Sequence, residues 1–343
     1  MTQPIPAGTL TGRTALVTGS SRGIGADTAR YLAEGGANVV INFRNKAPRA
    51  EKLAAQLREL GVEVLVVGAD LTDEASVAAM MAAVKETFGS LDLLVLNASG
   101  GMESGMGEDY ALVLNRDAQL NVLDAALPLL PDRGRVVFVT SHQAHFIRTT
   151  PTMPEYEPVA LSKRAGEDAL RERIPALAEQ GVGFVVVSGD MIEGTITATL
   201  LERANPGAIA GRRESAGKLY NVSEFAAEVA LAAVEPIPAG NTRLVGDVSS
   251  FGGMTFRDIE RYEIEGGVQA DVMSGWLLGD DFSGNGGNDQ LVGNGAANAF
   301  WGNNGNDTLV GNLGADTLIG GAGTDSLDGG NGPDTLTGGL GDD

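Results

Sequence analysis

Two sets of residues in this chain have types and spacings that could do chemistry. The first is the glycine-rich turn Thr18-Gly19-Ser20-Ser21-Arg22-Gly23-Ile24-Gly25, which follows an apolar run and opens a helical pattern. Gly19 permits a tight turn, Gly23 lets the backbone approach a pyrophosphate, and Gly25 lets the helix pack closely on its strand. In that context the turn reads as dinucleotide-binding. The second apolar run ends Ile41-Asn42-Phe43-Arg44. A carboxylate there would hold ribose hydroxyls. Asn42 replaces it, and Arg44 and Arg22 put cations where a 2′-phosphate would sit, which favours NADP over NAD. The second set is a nine-residue repeat in which Gly266, Gly275, Gly284, Gly293, Gly302, Gly311, Gly320, Gly329 and Gly338 each open a unit. Its sixth position holds Asp271, Asp280, Asp289, Asn298, Asp307, Asp316, Asp325, Asp334 and Asp343, and its eighth is apolar throughout. Glycine turns expose carbonyls, and Asp supplies the hard carboxylate oxygen that Ca²⁺ prefers.

The elements that must position these residues differ between the two regions. Non-alternating Val-, Leu- and Ile-rich runs occur at 14–18, 38–43, 62–67, 91–96, 135–140, 183–187 and 242–245. Such runs predict parallel strands buried on both faces. Amphipathic segments between them, including 47–60, 73–88 and 158–180, are long enough for crossover helices. The expected fold is a doubly wound parallel α/β sheet of the Rossmann kind over residues 1–247, with ligands at the carboxyl ends of the strands. Charge divides the chain at the same place. Residues 1–247 carry 22 basic and 30 acidic residues, whereas 248–343 carry 2 and 15, together with 24 of the 49 glycines. A net charge of −21 argues against a nucleic-acid partner, since such a chain repels phosphates. No apolar run reaches the roughly 18 residues of a spanning helix. The N-terminus has neither a basic stretch nor an apolar core, so no secretory signal is expected. With no cysteine, disulfides, thiolate metal sites and a cysteine nucleophile are excluded.

Over residues of about 10–247 the chain resembles the classical short-chain dehydrogenase/reductase family. The turn through Gly25 matches the family pattern, Asp70-Leu71 matches its adenine contact, and Asn97-Ala98 match within its Asn-Asn-Ala-Gly segment. The resemblance implies that Asn115 supports a proton relay through water, that Ser141 orients a carbonyl, and that Lys163 is the catalytic lysine. It implies that Thr195 contacts the nicotinamide carboxamide and that Ser21 and Ile24 lie on the cofactor. The expected reaction is hydride transfer between nicotinamide and a small carbonyl or alcohol substrate. A homo-oligomer is also implied. The family places its proton-donating Tyr four residues before the Lys, one helical turn away, so that the ammonium lowers the phenol's pKa.

That position here is Val159, which transfers no proton. Tyr156 lies seven residues before Lys163, about 10 Å along a continuous helix, and Pro158 fits best at the first helical position, with Glu157 biased to extended geometry. Tyr156 in the entering loop could swing its hydroxyl into the space Val159 leaves. His142, His145 and Glu155 are the other candidate donors. The remaining reading is a catalytically weak or inactive dinucleotide-binding relative, acting as a calcium-dependent binding or surface protein. Asp190, where the family commonly has Pro-Gly, adds a charge near the cleft, and the polar stretch 195–218 is the expected substrate lid.

The tail resembles the calcium-binding RTX repeat, which implies an all-β parallel β-roll over residues 248–343. Two nonapeptides would make one coil, so repeats 18 residues apart stack. Asp289, Asp307 and Asp325 would line one edge; Asn298, Asp316 and Asp334 would line the other, with Asn298 the weaker site. Residues 248–265 are expected as a lead-in packed on the first coil, with Trp276, Phe300 and Trp301 covering its end. The two resemblances imply different compartments: a cytoplasmic dinucleotide cofactor, and signal-less export into calcium. The last repeat stops at its sixth residue, Asp343, as a truncated boundary or a fusion would.

Overall fold

A computed structural model describes residues 3–102, 107, 109–246, 248, 263–274 and 279–341. The chain divides into two compact units. One comprises Met1–Glu214, Lys218–Ile237 and Asn241–Gly246, and the other is chiefly Asp247–Asp343.

Seven strands form the first unit's sheet: β1 (Thr14–Val17), β2 (Asn38–Phe43), β3 (Val64–Gly68), β4 (Leu93–Leu96), β5 (Arg135–Ser141), β6 (Gly183–Gly189) and β7 (Thr242–Val245). All neighbours pair in parallel, in the order β3-β2-β1-β4-β5-β6-β7. The order reverses between β1 and β4, and the crevice at the carboxyl ends of those strands is where such a sheet binds ligands. The apolar runs are continuous because both faces are covered. On one face α1 (Gly23–Glu34), α2 (Ala47–Arg58) and a late helix bring Leu32, Ala54, Phe225 and Val229 against Val39 and Val185. On the other, α3 (Glu74–Phe88) and the segment through residues 110–129 bring Val77, Met80 and Leu123 against Leu94 and Val136. That segment runs α4 (Tyr110–Leu112), a π-helical turn (Val113–Asp117) and α5 (Ala118–Ala126).

After β5 come α6 (His142–His145), α7 (Glu157–Arg171), α8 (Ile174–Glu179), α9 (Ile196–Ala204), α10 (Ala208–Ala216) and α11 (Val222–Ala232). The single helix expected over 158–180 is therefore two. Pro175 sits in the first turn of α8, where its missing N–H costs nothing; inside one long helix it would break a hydrogen bond. The stretch expected as a lid folds into α9 and α10.

The second unit is built from short parallel strands: β8 (Glu263–Glu265), β9 (Val272–Ser274), β10 (Asp281–Ser283), β11 (Gln290–Val292), β12 (Ala299–Asn304), β13 (Thr308–Val310), β14 (Thr317–Ala322), β15 (Ser326–Asp328) and β16 (Thr335–Leu340). They alternate between two sheets, β16-β14-β12-β10-β8 and β15-β13-β11-β9. Pairing is in register at 18 residues, as in Phe282 with Phe300 and Leu291 with Leu309. The eighth-position residues Met273, Phe282, Leu291, Phe300, Leu309 and Leu318 are buried. Each contributes about 1.5–3 kcal/mol by leaving water. Phe300 is not an end cover: it stacks on Phe282 inside the roll, ring centroids 4.9 Å apart, while Trp301 is exposed. Trp276 and most of the expected lead-in lie outside the described residues. The turns need glycine. At Gly305 φ is +131°, and an added Cβ would land on the Gly287 carbonyl one coil earlier.

Candidate active site and candidate metal sites

A cavity of about 670 Å³ opens along the carboxyl ends of the sheet. At one end lies the glycine turn. Gly19 and Gly23 have φ of +64° and +58°, in the left-handed region where side chains are strained. Gly19 N–H donates to Asn42 Oδ1 at 3.0 Å, so the Asn42 amide braces the turn and also donates to the Ala69 carbonyl. A Cβ at Gly25 would lie 2.6 Å from Asn97 Nδ2 and 3.0 Å from the Gly19 carbonyl. Asn97 in turn ties β4 to β1, its Nδ2 donating to the Thr18 carbonyl at 2.9 Å. Ser21, Arg22, Gly23, Ile24 and Gly25 line the cavity, and α1 starts without a side-chain cap. Uncapped N–H groups at a helix N-terminus favour a phosphate anion.

Arg44 and Leu71 also line this end, with Arg44 donating to the Tyr110 hydroxyl and lying over its ring. Lys46 and Arg49 join Arg22 and Arg44 on the same wall. These two cations went unread in the sequence, although Asn45-Lys46-Ala47-Pro48-Arg49 directly after β2 signals them. Asp70 turns its Oδ1 to the Thr72 N–H and hydroxyl, at 3.0 and 2.7 Å. Burial works against its charge, but the Thr72 bonds and the nearby Arg44 hold it below the usual carboxylate range.

Ser141, Tyr156 and Lys163 also line the cavity. Ser141 ends β5 and caps α6, accepting the Ala144 N–H. Tyr156 sits at the N-cap of α7 and is buried, its hydroxyl 3.1 Å from Ser141 Oγ. Val159 is buried, its Cγ2 3.0 Å from where a Cβ on Gly101 would stand. Lys163 lies two turns into α7 from Tyr156, on the cavity wall.

The other proposed donors do not reach the cavity. His142 is fully buried and bonds Ser188 Oγ at 2.8 Å; burial, then the charges of His145 and Arg212, push it down to about 3. His145 is helical and bonds both Glu167 oxygens, at 2.8 and 2.9 Å. Burial opposes the Glu167 charge, yet His145, Arg171 and Arg164 hold it at about 2. Glu155 accepts from Asn205.

Asn115 is buried within the π-helical turn. Its Nδ2 donates to the Gly100 carbonyl and Ser162 Oγ, at 2.8 and 2.9 Å, and its Oδ1 accepts the Gly100 N–H. The side chain therefore holds the π-turn against β4's exit and α7. Asp190 lies on the cavity wall, but its charge is matched by Arg212, whose Nε reaches both carboxylate oxygens at 2.9 Å. Thr195 lines the cavity and caps α9, accepting the Ala198 N–H at 3.1 Å.

In the roll the described sixth-position side chains from Asp289 to Asp334 make the same bond. The N–H of Asp271 donates to Asp289 Oδ1, that of Asp289 to Asp307, that of Asp307 to Asp325, that of Asn298 to Asp316, and that of Asp316 to Asp334, all at 2.7–3.0 Å. The second carboxylate oxygens of Asp289, Asp307 and Asp316 are buried without a hydrogen-bond partner. Each faces a cradle that only glycine leaves open. Asp289 Oδ2 and the Gly302 carbonyl close on the Cβ position of Gly284, Asp307 Oδ2 and the Gly320 carbonyl on that of Gly302, and Asp316 Oδ2 and the Gly329 carbonyl on that of Gly311. Burial, then the charges of Asp307 and Asp271, push Asp289 up to about 7, and burial raises Asp307 as well. A buried carboxylate oxygen without a donor is costly, and a cation beside it would relieve that cost. Among the described residues no three His, Asp or Glu side chains are grouped to hold a metal by themselves. The available ligands are carboxylates with main-chain carbonyls, the all-oxygen set of a hard cation. These residues fit Ca²⁺.

Comparison with known proteins agrees with both units. The short chain dehydrogenase family matches residues 13–205, and the RTX calcium-binding nonapeptide repeat matches 283–318 and 319–343. The chain is 35% identical to the short chain dehydrogenase/reductase AacuN of Aspergillus aculeatus over 142 residues, 40% of this chain and about half of that protein (54%). It is 33% identical to the oxidoreductase UcpA of Salmonella typhimurium over 207 residues, 58% of this chain and 76% of that one. Among solved structures, a short chain dehydrogenase from Burkholderia cenocepacia in complex with NADP aligns with a TM-score of 0.57 at 30% identity, covering 66% of this chain and 91% of that one.

Proposed function

The chain belongs to the short chain dehydrogenase family and ends in RTX repeats, and from that premise we propose that it is an NADP-dependent carbonyl reductase or alcohol dehydrogenase with a calcium-binding tail. The observation that carries the reading is the 3.1 Å contact between the Tyr156 hydroxyl and Ser141 Oγ on a cavity wall shared with Lys163. It supports a relocated proton donor: the phenol comes from the N-cap of α7 rather than from one turn inside it. The Burkholderia relative's NADP complex and the four cations Arg22, Arg44, Lys46 and Arg49 support NADP over NAD. The glycine turn and the uncapped start of α1 would hold its pyrophosphate, with Asp70, Leu71, Asn97 and Thr195 along its length.

Bound NADPH supplies the hydride that reduces a carbonyl carbon. Ser141 donates a hydrogen bond that orients the carbonyl oxygen, and Tyr156 gives that oxygen its proton. The Lys163 ammonium lines the same cavity and would supply positive charge that favours the phenolate that remains. In the oxidative direction Tyr156 takes the proton back from an alcohol. In the tail, Asp289, Asp307, Asp316, Asp325 and Asp334 would hold Ca²⁺ together with turn carbonyls.

The test is NADPH consumption across a panel of aldehydes and ketones, with NADPH binding measured alongside. Turnover is expected. Tight NADPH binding without turnover of any carbonyl would favour the alternative of a dinucleotide-binding protein that has lost the reaction. Circular dichroism of the full chain is expected to gain β signal when Ca²⁺ replaces chelator; identical spectra would count against the calcium role.

A further inference from the structure

One repeat breaks the carboxylate ladder at its sixth position. Gly293-Asn294-Gly295-Ala296-Ala297-Asn298 carries an amide at its sixth position and another at its second. Asn298 Oδ1 does what the other sixth-position oxygens do and accepts the N–H of Asp280, at 3.0 Å. That bond fixes the amide's orientation and turns Nδ2 into the cradle at Gly293, where the other rungs place Oδ2. There Nδ2 donates to the Ala296 carbonyl at 2.7 Å and to Asp316 Oδ1 at 2.9 Å, with the Gly311 carbonyl at 3.4 Å. Asn294 acts on the preceding rung. Its Nδ2 donates to Asp280 Oδ2 at 2.7 Å, and its Oδ1 accepts the Ala296 N–H at 2.7 Å. The second-position residues Asn285 and Asn312 instead donate to main-chain carbonyls, of Gly266 and Gly293.

The amide hydrogens thus gather the same kinds of oxygen, turn carbonyl and carboxylate, that a cation would gather elsewhere in the roll. They do so without adding charge. We propose that Asn298 and Asn294 close the rungs between Asp280 and Asp316 without metal, making this edge segment the calcium-independent part of the tail. The proposal rests on the reading of the other rungs as Ca²⁺ sites. An ion at this rung would lose one carboxylate ligand and meet N–H donors pointed at it, so it is excluded. Coils on either side then dock on a segment that is ordered before calcium arrives.

The test uses the full chain and Ca²⁺ itself, with bound ions counted by equilibrium dialysis and backbone protection read by hydrogen exchange in chelator. Wild type is expected to keep protected amides at 298–304 and 317–322 in chelator while the opposite edge, 289–292 and 308–310, exchanges. Asn298→Asp is expected to bind at least one more Ca²⁺ and to lose that chelator-resistant protection. Asp307→Asn on the other edge is expected to bind fewer ions, which keeps the proposal testable if Asn298→Asp folds only with calcium. Equal counts in wild type and Asn298→Asp, or uniform exchange of both edges in chelator, would overturn the role of Asn298. A wild-type count of zero would instead overturn the calcium reading on which it rests.

Discussion

At the scale of single residues, the chemistry turns on what replaces a tyrosine at position 159. A valine there removes the donor from the helix face, yet the pocket still receives a phenol because α7 begins at Glu157 and leaves Tyr156 at its N-cap. Cofactor choice is also expected to rest on individual side chains. Replacing Arg44 by Ala is expected to raise KM for NADPH about 10- to 100-fold, the loss of one or two charge-assisted hydrogen bonds, while KM for NADH changes little. Steady-state kinetics with both cofactors checks it, and equal losses would remove Arg44 from the 2′-phosphate. Gly25→Ala should weaken both cofactors together, because a methyl group there meets Asn97 and the Gly19 carbonyl and so displaces the turn that both share.

Among the elements, α6 and α7 form a buried polar layer behind the site. His142 bonds Ser188, and His145 bonds Glu167, which Arg171 also holds at 2.9 Å. This layer makes stability depend on acid. His142 is neutral in the fold with its pKa lowered to about 3, whereas the unfolded chain protonates near 6.5. The unfolded state therefore binds more protons between those values, and stability falls as pH drops through that window. Glu167, held at about 2, adds a further loss below its ordinary range of about 4.3. Denaturant melts at pH 7, 5 and 4 should show decreasing midpoints in wild type and a flatter trend in His142→Gln. A parallel trend in both would remove His142 as the cause. Much at this scale was legible in the sequence. Two-sided burial made the seven strands continuous apolar runs, and the nine-residue period announced the roll. Pro175 was a visible stop, passed over because the apolar pattern continues beyond it. The inward turn of Asn115 and the pairing of Asp190 with Arg212 were not legible. Both depend on partners far away in sequence, which a motif position does not specify.

For the whole molecule, the charge of −21 resolves into two unlike parts. The acidic tail is a ladder whose inward oxygens lack donors at Asp289, Asp307 and Asp316, and Ca²⁺ would neutralise much of it. Calcium at about a hundred times its dissociation constant would stabilise the roll by about 2.7 kcal/mol per site, so its melting temperature should rise with calcium concentration; a calcium-independent melt would contradict bound ions. The first unit is acidic overall but lines its cavity with Arg22, Arg44, Lys46 and Arg49, where an anionic cofactor is expected to lie. Its family membership is shown by sequence, while the activity proposed for it rests on the relocated phenol. The most direct test is therefore NADPH-dependent carbonyl reduction by wild type and Tyr156→Phe, with NADPH affinity measured in both. Loss of a positioned acid predicts a fall in kcat/KM of about 10²–10⁴-fold with NADPH affinity unchanged. Equal turnover in the two proteins would contradict Tyr156 as the proton donor.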